Sequence, residues 1–219
     1  MSQITPHPLT PSDLPTILTI YFASFTNAFA LRAFPHTAPI HAWWSRMLSS
    51  ELSDPAAVFL KAVTLTSNGS ETISWIKGNR APSTWTEKPA EESTWPEGSD
   101  AELCDVFFGR LEEVRRRVMG GRGHWYIELL ATSPAHQGKG AASLLLQQIV
   151  SLADAEDVAA YIEASPVSVR LYRKFGFEER DSVTVDVTGH GSYTTLCMVR
   201  PALSDRVSTT LTHYTAKGS

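Results

Sequence analysis

The 219-residue chain carries a formal charge of −4 with both signs mixed along its length, and 42% of its residues are hydrophobic. That composition fits one large domain with a substantial core, and the lack of a basic stripe argues against a nucleic-acid partner. Cys104 and Cys197 are too few for a disulfide framework, and no stretch approaches the ~20 apolar residues of a membrane span.

The opening MSQITPHPLTPSDL has neither a basic region nor an apolar run, so the expectation is a cytoplasmic protein without a secretory signal. Residues 11–33 predict a helix, with Asp13 as N-cap, Pro15 just inside, and Leu14, Ile17, Leu18, Tyr21 and Phe25 at helical spacing. A second amphipathic helix is expected over 39–52. AVFLKAVTL and TISWIKG then form a hairpin across Ser67-Asn68-Gly69-Ser70, where Asn-Gly tolerates the positive φ of a tight turn. Residues 79–100, rich in Pro, Glu and Ser but carrying Trp85 and Trp95, read as a surface insertion: a plain linker or a lid over a site. A helix over 101–118 stops at Gly120-Gly121.

The rest alternates. HWYIELLA is a strand, TSPAHQGKG a loop, Ala141–Ala155 a helix and VAAYIEA a strand. A short helix opened by Ser165-Pro166 ends at Gly176, and FEERDSVTVDV and SYTTLCMVR close the chain. Strand–helix–strand implies a central parallel pair, and the hairpins imply antiparallel edges. The expected fold is a mixed, mostly antiparallel sheet flanked by helices, one domain over 1–205 with a loosely held tail at 206–219.

The segment ELLATSPAHQGKGAASLLL, Glu128 to Leu146, carries the chemistry. A strand runs through a glycine-bearing loop into a helix, whose first turn has N–H groups without intrahelical partners and a partial positive charge. Gly138, Gly140, Ala141 and Ala142 are small enough for a phosphate to approach the backbone, and Lys139 adds a charge, so an anion site is expected. A P-loop is excluded because Gly140, not Ser or Thr, follows Lys139. The dinucleotide fingerprint fits less well: its third glycine is Ser143, and six residues separate the strand from Gly138. A nicotinamide enzyme remains an alternative at this point.

Gln137-x-x-Gly140-x-Ala142 resembles the Q/R-x-x-G-x-G/A signature of GNAT-type acetyltransferases, and Leu171-Tyr172 followed by Gly176-Phe177 resembles their second signature at the usual spacing. The likeness covers about residues 10–200. ELLATSP and YIEASPVSVRLYRKFGF are most similar to fungal and bacterial small-molecule enzymes, including puromycin-type acetyltransferases. The resemblance implies acetyl-CoA as co-substrate, lying between the two parallel strands. Leu130, Ala131 and Thr132 would then offer backbone groups to the pantetheine, and Gln137, Gly138, Lys139, Gly140, Ala141 and Ala142 would wrap the pyrophosphate. Tyr172 matches the position of the family's acid. Where the family often has Asn, this chain has Ser165, which puts a pantetheine contact in doubt.

The implied reaction is transfer of acetyl to the amine of a small molecule. Alternatives are a peptide or protein N-acetyltransferase and a non-catalytic acyl-CoA sensor. An alkylamine arrives protonated, so a base is needed. Glu128 is the first candidate, placed by alternation on one face with Tyr126 and Leu130; Glu163 is the second, and His124, at a rim, the third. Arg173 or Lys174 could meet a CoA phosphate or simply end a helix. Phe25, Phe29, Trp43 and Trp44 fit either core or acceptor pocket, while Trp75 and Trp125 read as core. His36, His41, His124, His136 and His190 show no ligand spacing, so no metal is expected. Oligomeric state is not legible.

Overall fold

The structure is a computed structural model that describes residues 3–67, 69–82 and 95–206. Among these residues, seven strands form one sheet: β1 Ile4–Pro8, β2 Ala57–Thr66, β3 Gly69–Ala81, β4 His124–Thr132, β5 Ala159–Ala164, β6 Glu178–Val187 and β7 Gly191–Arg200. Their order is β1-β2-β3-β4-β5-β7-β6, with β4 and β5 parallel and every other pair antiparallel. This is the expected mixed sheet. The edge strand β1 was not legible: ITPHP has two prolines and no apolar alternation, and only its pairing to Leu60–Thr64 makes it a strand.

Among the described residues, six α-helices cover the sheet: α1 Leu14–Ser24, α2 Ala28–Ala33, α3 Ala38–Glu51, α4 Ala101–Met119, α5 Ala141–Ala155 and α6 Val169–Lys174. The single helix expected over 11–33 is three pieces. Pro11–Asp13 is a 3₁₀ turn, and the chain breaks again after Ser24 because the Asn27 side chain accepts from the Ala30 N–H (3.0 Å) and starts α2 afresh. Asp13 does not cap α1. Its carboxylate turns back to the Thr10 amide and hydroxyl (both 2.8 Å) and pairs with Lys61 (2.6 Å). Helix α4 behaves as expected at both ends, capped by Asp100 on the Leu103 amide (3.1 Å) and stopped at Gly120 in the left-handed region.

Two apolar clusters lie on opposite faces of the sheet. One joins α1, α2, α3 and α4 to Trp75, Ala131, Tyr161 and Val185; the other joins α5 and α6 to Ile76, Ile127, Ile162 and Met198. The second face is pinned at one end by buried Arg200. Its guanidinium grips both Asp154 carboxylate oxygens (2.7 Å each), and its Nε donates to the Phe175 carbonyl (2.8 Å), tying β7 to α5 and the end of α6. No helix among the described residues is long and apolar enough to cross a membrane.

Of the insertion at 79–100, β3 takes the first residues, to Ala81, and Trp95 onward packs on the domain. Trp85, Asn68 of the hairpin turn and the tail from 207 lie outside the described residues.

Candidate active site

Strands β4 and β5 pair only from His124↔Ala159 to Ile127↔Ile162. Beyond that point β5 pairs with β7 alone, and β4 with β3 alone, so the two parallel strands part and leave a gap. The cause is visible in the β3–β4 register. Lys77 faces Leu129 and Gly78 faces Ile127, so Glu128 is an extra residue, a β-bulge, which bends the strand.

The bulge also shifts the alternation. Tyr126 and Leu129 pack with the α1–α4 cluster, while Ile127 and Leu130 pack with the α5 cluster. Glu128 and Tyr126 therefore share a cavity, as expected, but the Leu130 side chain lies on the other face; no sequence pattern marks a bulge between Ile127 and Leu129. The backbone of Leu130 is well placed for another reason. Ser133 N–H donates to Ile73 (2.9 Å) and the Ala131 carbonyl accepts from Ser74 (2.8 Å), both on the β3 side. Alternation turns the Leu130 amide and carbonyl to the open edge. Of the three expected backbone contacts, Ala131 is thus engaged within the sheet. The Thr132 carbonyl already accepts from Ser24 (2.9 Å) and Gln137 (3.3 Å).

The loop after β4 makes a 3₁₀ turn at Pro134–His136 and enters α5 through Gly138 and Gly140, at φ +74° and +92°. Both glycines are needed for these left-handed conformations, and a Cβ on either would meet open space. Gln137 to Gly140 are exposed, and Gly140 is the N-cap of α5, so the first-turn amides of Ala141 and Ala142 open onto that space. The segment suits a phosphate group on an observed geometry.

The gap opens on a cavity of about 270 Å³ that reaches from Ser165, Ser168 and Tyr172 past Glu163 and Glu128 to an aromatic wall. Ser165 does not cap α6. The chain turns once more, so Ser168 takes that position and donates to the Ser165 carbonyl (2.8 Å), with the two hydroxyls 3.0 Å apart. Tyr172 is buried near Ser168, and burial holds its pKa above the usual phenol value.

The two carboxylates differ. Glu128 Oε2 is bound by the buried ammonium of Lys77 (2.7 Å) and by the Asn79 amide (2.6 Å); Lys77 also pairs with Glu51 (2.8 Å). Glu163 is enclosed, and burial raises its pKa to about 7 against the opposing pull of a Tyr126 hydrogen bond and the Arg115 charge. Arg115 stacks over the Tyr126 ring at 4.1 Å. The Glu163 carboxyl, with that pKa, is suited to accept a proton near neutral pH. His124 is not at a rim. It is 1% exposed, its Nδ1 is 2.7 Å from the Arg122 carbonyl, and burial lowers its pKa. Arg173 lies near Glu179 (3.6 Å), on exposed surface.

Phe25, Phe29 and the buried Trp44 line the cavity, and Trp43 sits one layer out against Trp95 (6.2 Å). Trp75 and Trp125 are core, as expected. Trp95 donates to Asp105 (2.7 Å) and stacks on Phe108 (5.2 Å), which with Phe34 forms the wall. Trp95→Ala is expected to raise the KM of the second substrate roughly 3–10-fold, the scale of lost aromatic pairs. An unchanged KM would make Trp95 a surface anchor only. Lys77, Asn79, Phe107, Phe108, Ser168 and Tyr193 were missed from the sequence. A lysine in the apolar run TISWIKG was the one available signal.

Residues 81–177 match the model of the acetyltransferase (GNAT) family. Among solved structures, a Corynebacterium glutamicum protein described as histone acetyltransferase HPA2 and related acetyltransferase is 23% identical, covers 92% of this chain and 97% of its own, and superposes with a TM-score of 0.58. Polyamine N-acetyltransferase of Drosophila melanogaster (14%, 90% and 99% covered, TM-score 0.67) and arylalkylamine N-acetyltransferase 2 of Aedes aegypti (15%, 91% and 99%, 0.63) share the fold as well.

Proposed function

From the premise that this chain is a GNAT-type acetyltransferase, we propose that it moves the acetyl group of acetyl-CoA to the amine of a small molecule by direct attack. The observation that carries this reading is the continuity of one cavity from the β4–β5 gap, past Glu163, to an aromatic wall. The co-substrate supplies an activated thioester, and the residues around it supply binding and proton transfer. The loop from Gln137 to Ala142 holds the pyrophosphate through backbone amides. The Leu130 N–H at the open edge faces the carbonyl oxygen and stabilises charge developing there.

Glu163 takes a proton from the incoming ammonium, directly or through water. The amine nitrogen then forms its bond to the acetyl carbon, the carbon–sulfur bond breaks, Tyr172 gives the departing sulfur a proton, and the second proton shed by the nitrogen restores the phenol through water. The Glu128–Lys77–Asn79 cluster holds the bulge beside the amine. Residues 1–205 would act as one catalytic domain, in a protein working in the cytoplasm.

The test is release of free CoA with a mixed amine library, with mass spectrometry of the products. Acetylated small amines are expected, and acetyl-CoA, not NAD or NADP, should raise the Tm. In Gly140→Glu the Tm shift should vanish, because a side chain and a negative charge occupy the phosphate position. Stabilisation by a dinucleotide instead of acetyl-CoA would overturn the reading.

A further inference from the structure

The two ends of the cavity differ in chemistry. Among the described residues, the charged side chains lining it are Glu128 and Glu163, on the parting strands. The opposite wall is built from α1, α2, α4 and β7 and presents Phe25, Phe29, Phe107, Phe108 and Tyr193. Its polar members, Asn27 and Thr195, are uncharged. The rings form one packed surface: Phe29 stacks on Tyr193 at 4.7 Å with 7° between planes and meets Phe107 at 4.2 Å, and Phe107 meets Phe108 at 5.2 Å. Asn27 is also committed, since its carbonyl oxygen caps α2.

We infer that the acceptor is an amphipathic monoamine: one primary amine at the carboxylate end and an aromatic or compact apolar body, without a second charge, against the ring wall. This deepens the acetyl-transfer reading above and rests on it. A diamine or guanidino-amine would carry its distal cation into a wall that offers no carboxylate among the described residues, and burying an unpaired charge there is costly. A peptide would bring backbone amides that the rings cannot satisfy. A phenyl or alkyl body replaces water on an apolar surface and gains from its burial.

The test compares kcat/KM for 2-phenylethylamine, hexylamine, putrescine, agmatine and an alanine-terminated tripeptide at saturating acetyl-CoA, following CoA release and product mass. 2-Phenylethylamine is expected to exceed putrescine, agmatine and the tripeptide by about 100-fold or more, in the range a committed apolar pocket provides. Tyr193→Glu, which puts a carboxylate on the ring wall, should cut that preference over putrescine at least tenfold. Phe108→Ala, on a partly exposed helix position, should lower kcat/KM for 2-phenylethylamine about tenfold and that for putrescine by much less, so that the preference narrows, which keeps the idea testable if Tyr193→Glu does not fold. Preference for putrescine, agmatine or the tripeptide would overturn the inference while leaving acetyl transfer intact. Binding of acetyl-CoA with no amine acetylated would overturn the acetyl-transfer reading itself, and this inference with it.

Discussion

Tyr172→Phe is expected to lower kcat by roughly 10²-fold or more, the scale of general-acid catalysis, with little change in acetyl-CoA affinity or Tm. The departing sulfur is a thiolate whose parent thiol has a pKa near ~8.5, so a proton delivered as the bond breaks helps at neutral pH. Tyr172 can deliver it. It lines the cavity end near the parting strands, it is buried, and burial keeps its phenol protonated. The substitution keeps the ring, and with it the packing against Phe177 at 5.7 Å, and removes only the donor. A Phe variant at full rate, with chemistry shown to limit turnover, would remove Tyr172 from the reaction. A collapse in Tm would assign it to packing.

Glu163→Gln should be at least as damaging, lowering kcat/KM by about 10²–10⁴-fold. A base works only when ionised, so with a carboxyl pKa of about 7 the wild-type rate should rise with pH through neutrality. In the variant that limb should disappear, leaving the dependence set by the amine. Stability should move the opposite way. The folded pKa lies above the ordinary 4.5, so the native state binds this proton more tightly than the unfolded chain, and stability falls as pH rises from about 4.5 to 7. At pH 8 the glutamine variant should therefore be more stable than wild type, by on the order of 1–3 kcal/mol, with a smaller gap at pH 5. Retention of the wild-type pH–rate limb in Glu163→Gln would assign the base elsewhere, with Glu128 next.

The sheet, the parallel pair and the helix α5 from Ala141 to Ala155 were legible because periodicity and glycine chemistry are local. So was the glycine-bearing turn into α5, whose small residues, left-handed conformations and helix start all lie within six positions. What was not legible depended on partners distant in sequence. The β1 strand exists through β2, and the bulge at Glu128 exists through its register with β3. The choice between Glu128 and Glu163 turns on Lys77 and Asn79, some 50 positions before the first, and on burial of the second among Tyr126 and Arg115. The aromatic wall shows the same limit. Phe107 and Phe108 satisfy a core pattern in α4, and only the placement of α2 and β7 across from them makes them a surface that a ligand can touch.

The separation of the two apolar clusters by the sheet has a consequence for how such a chain can diverge. The ring wall belongs to the α1–α4 side, whereas Tyr172 and the buried root of the phosphate loop belong to the α5–α6 side. Side chains on opposite faces share few neighbours, so substitutions in one cluster should combine nearly additively with those in the other. Acceptor choice can then drift through mutations that never touch donor binding, and a lineage can change what it acetylates without relearning how.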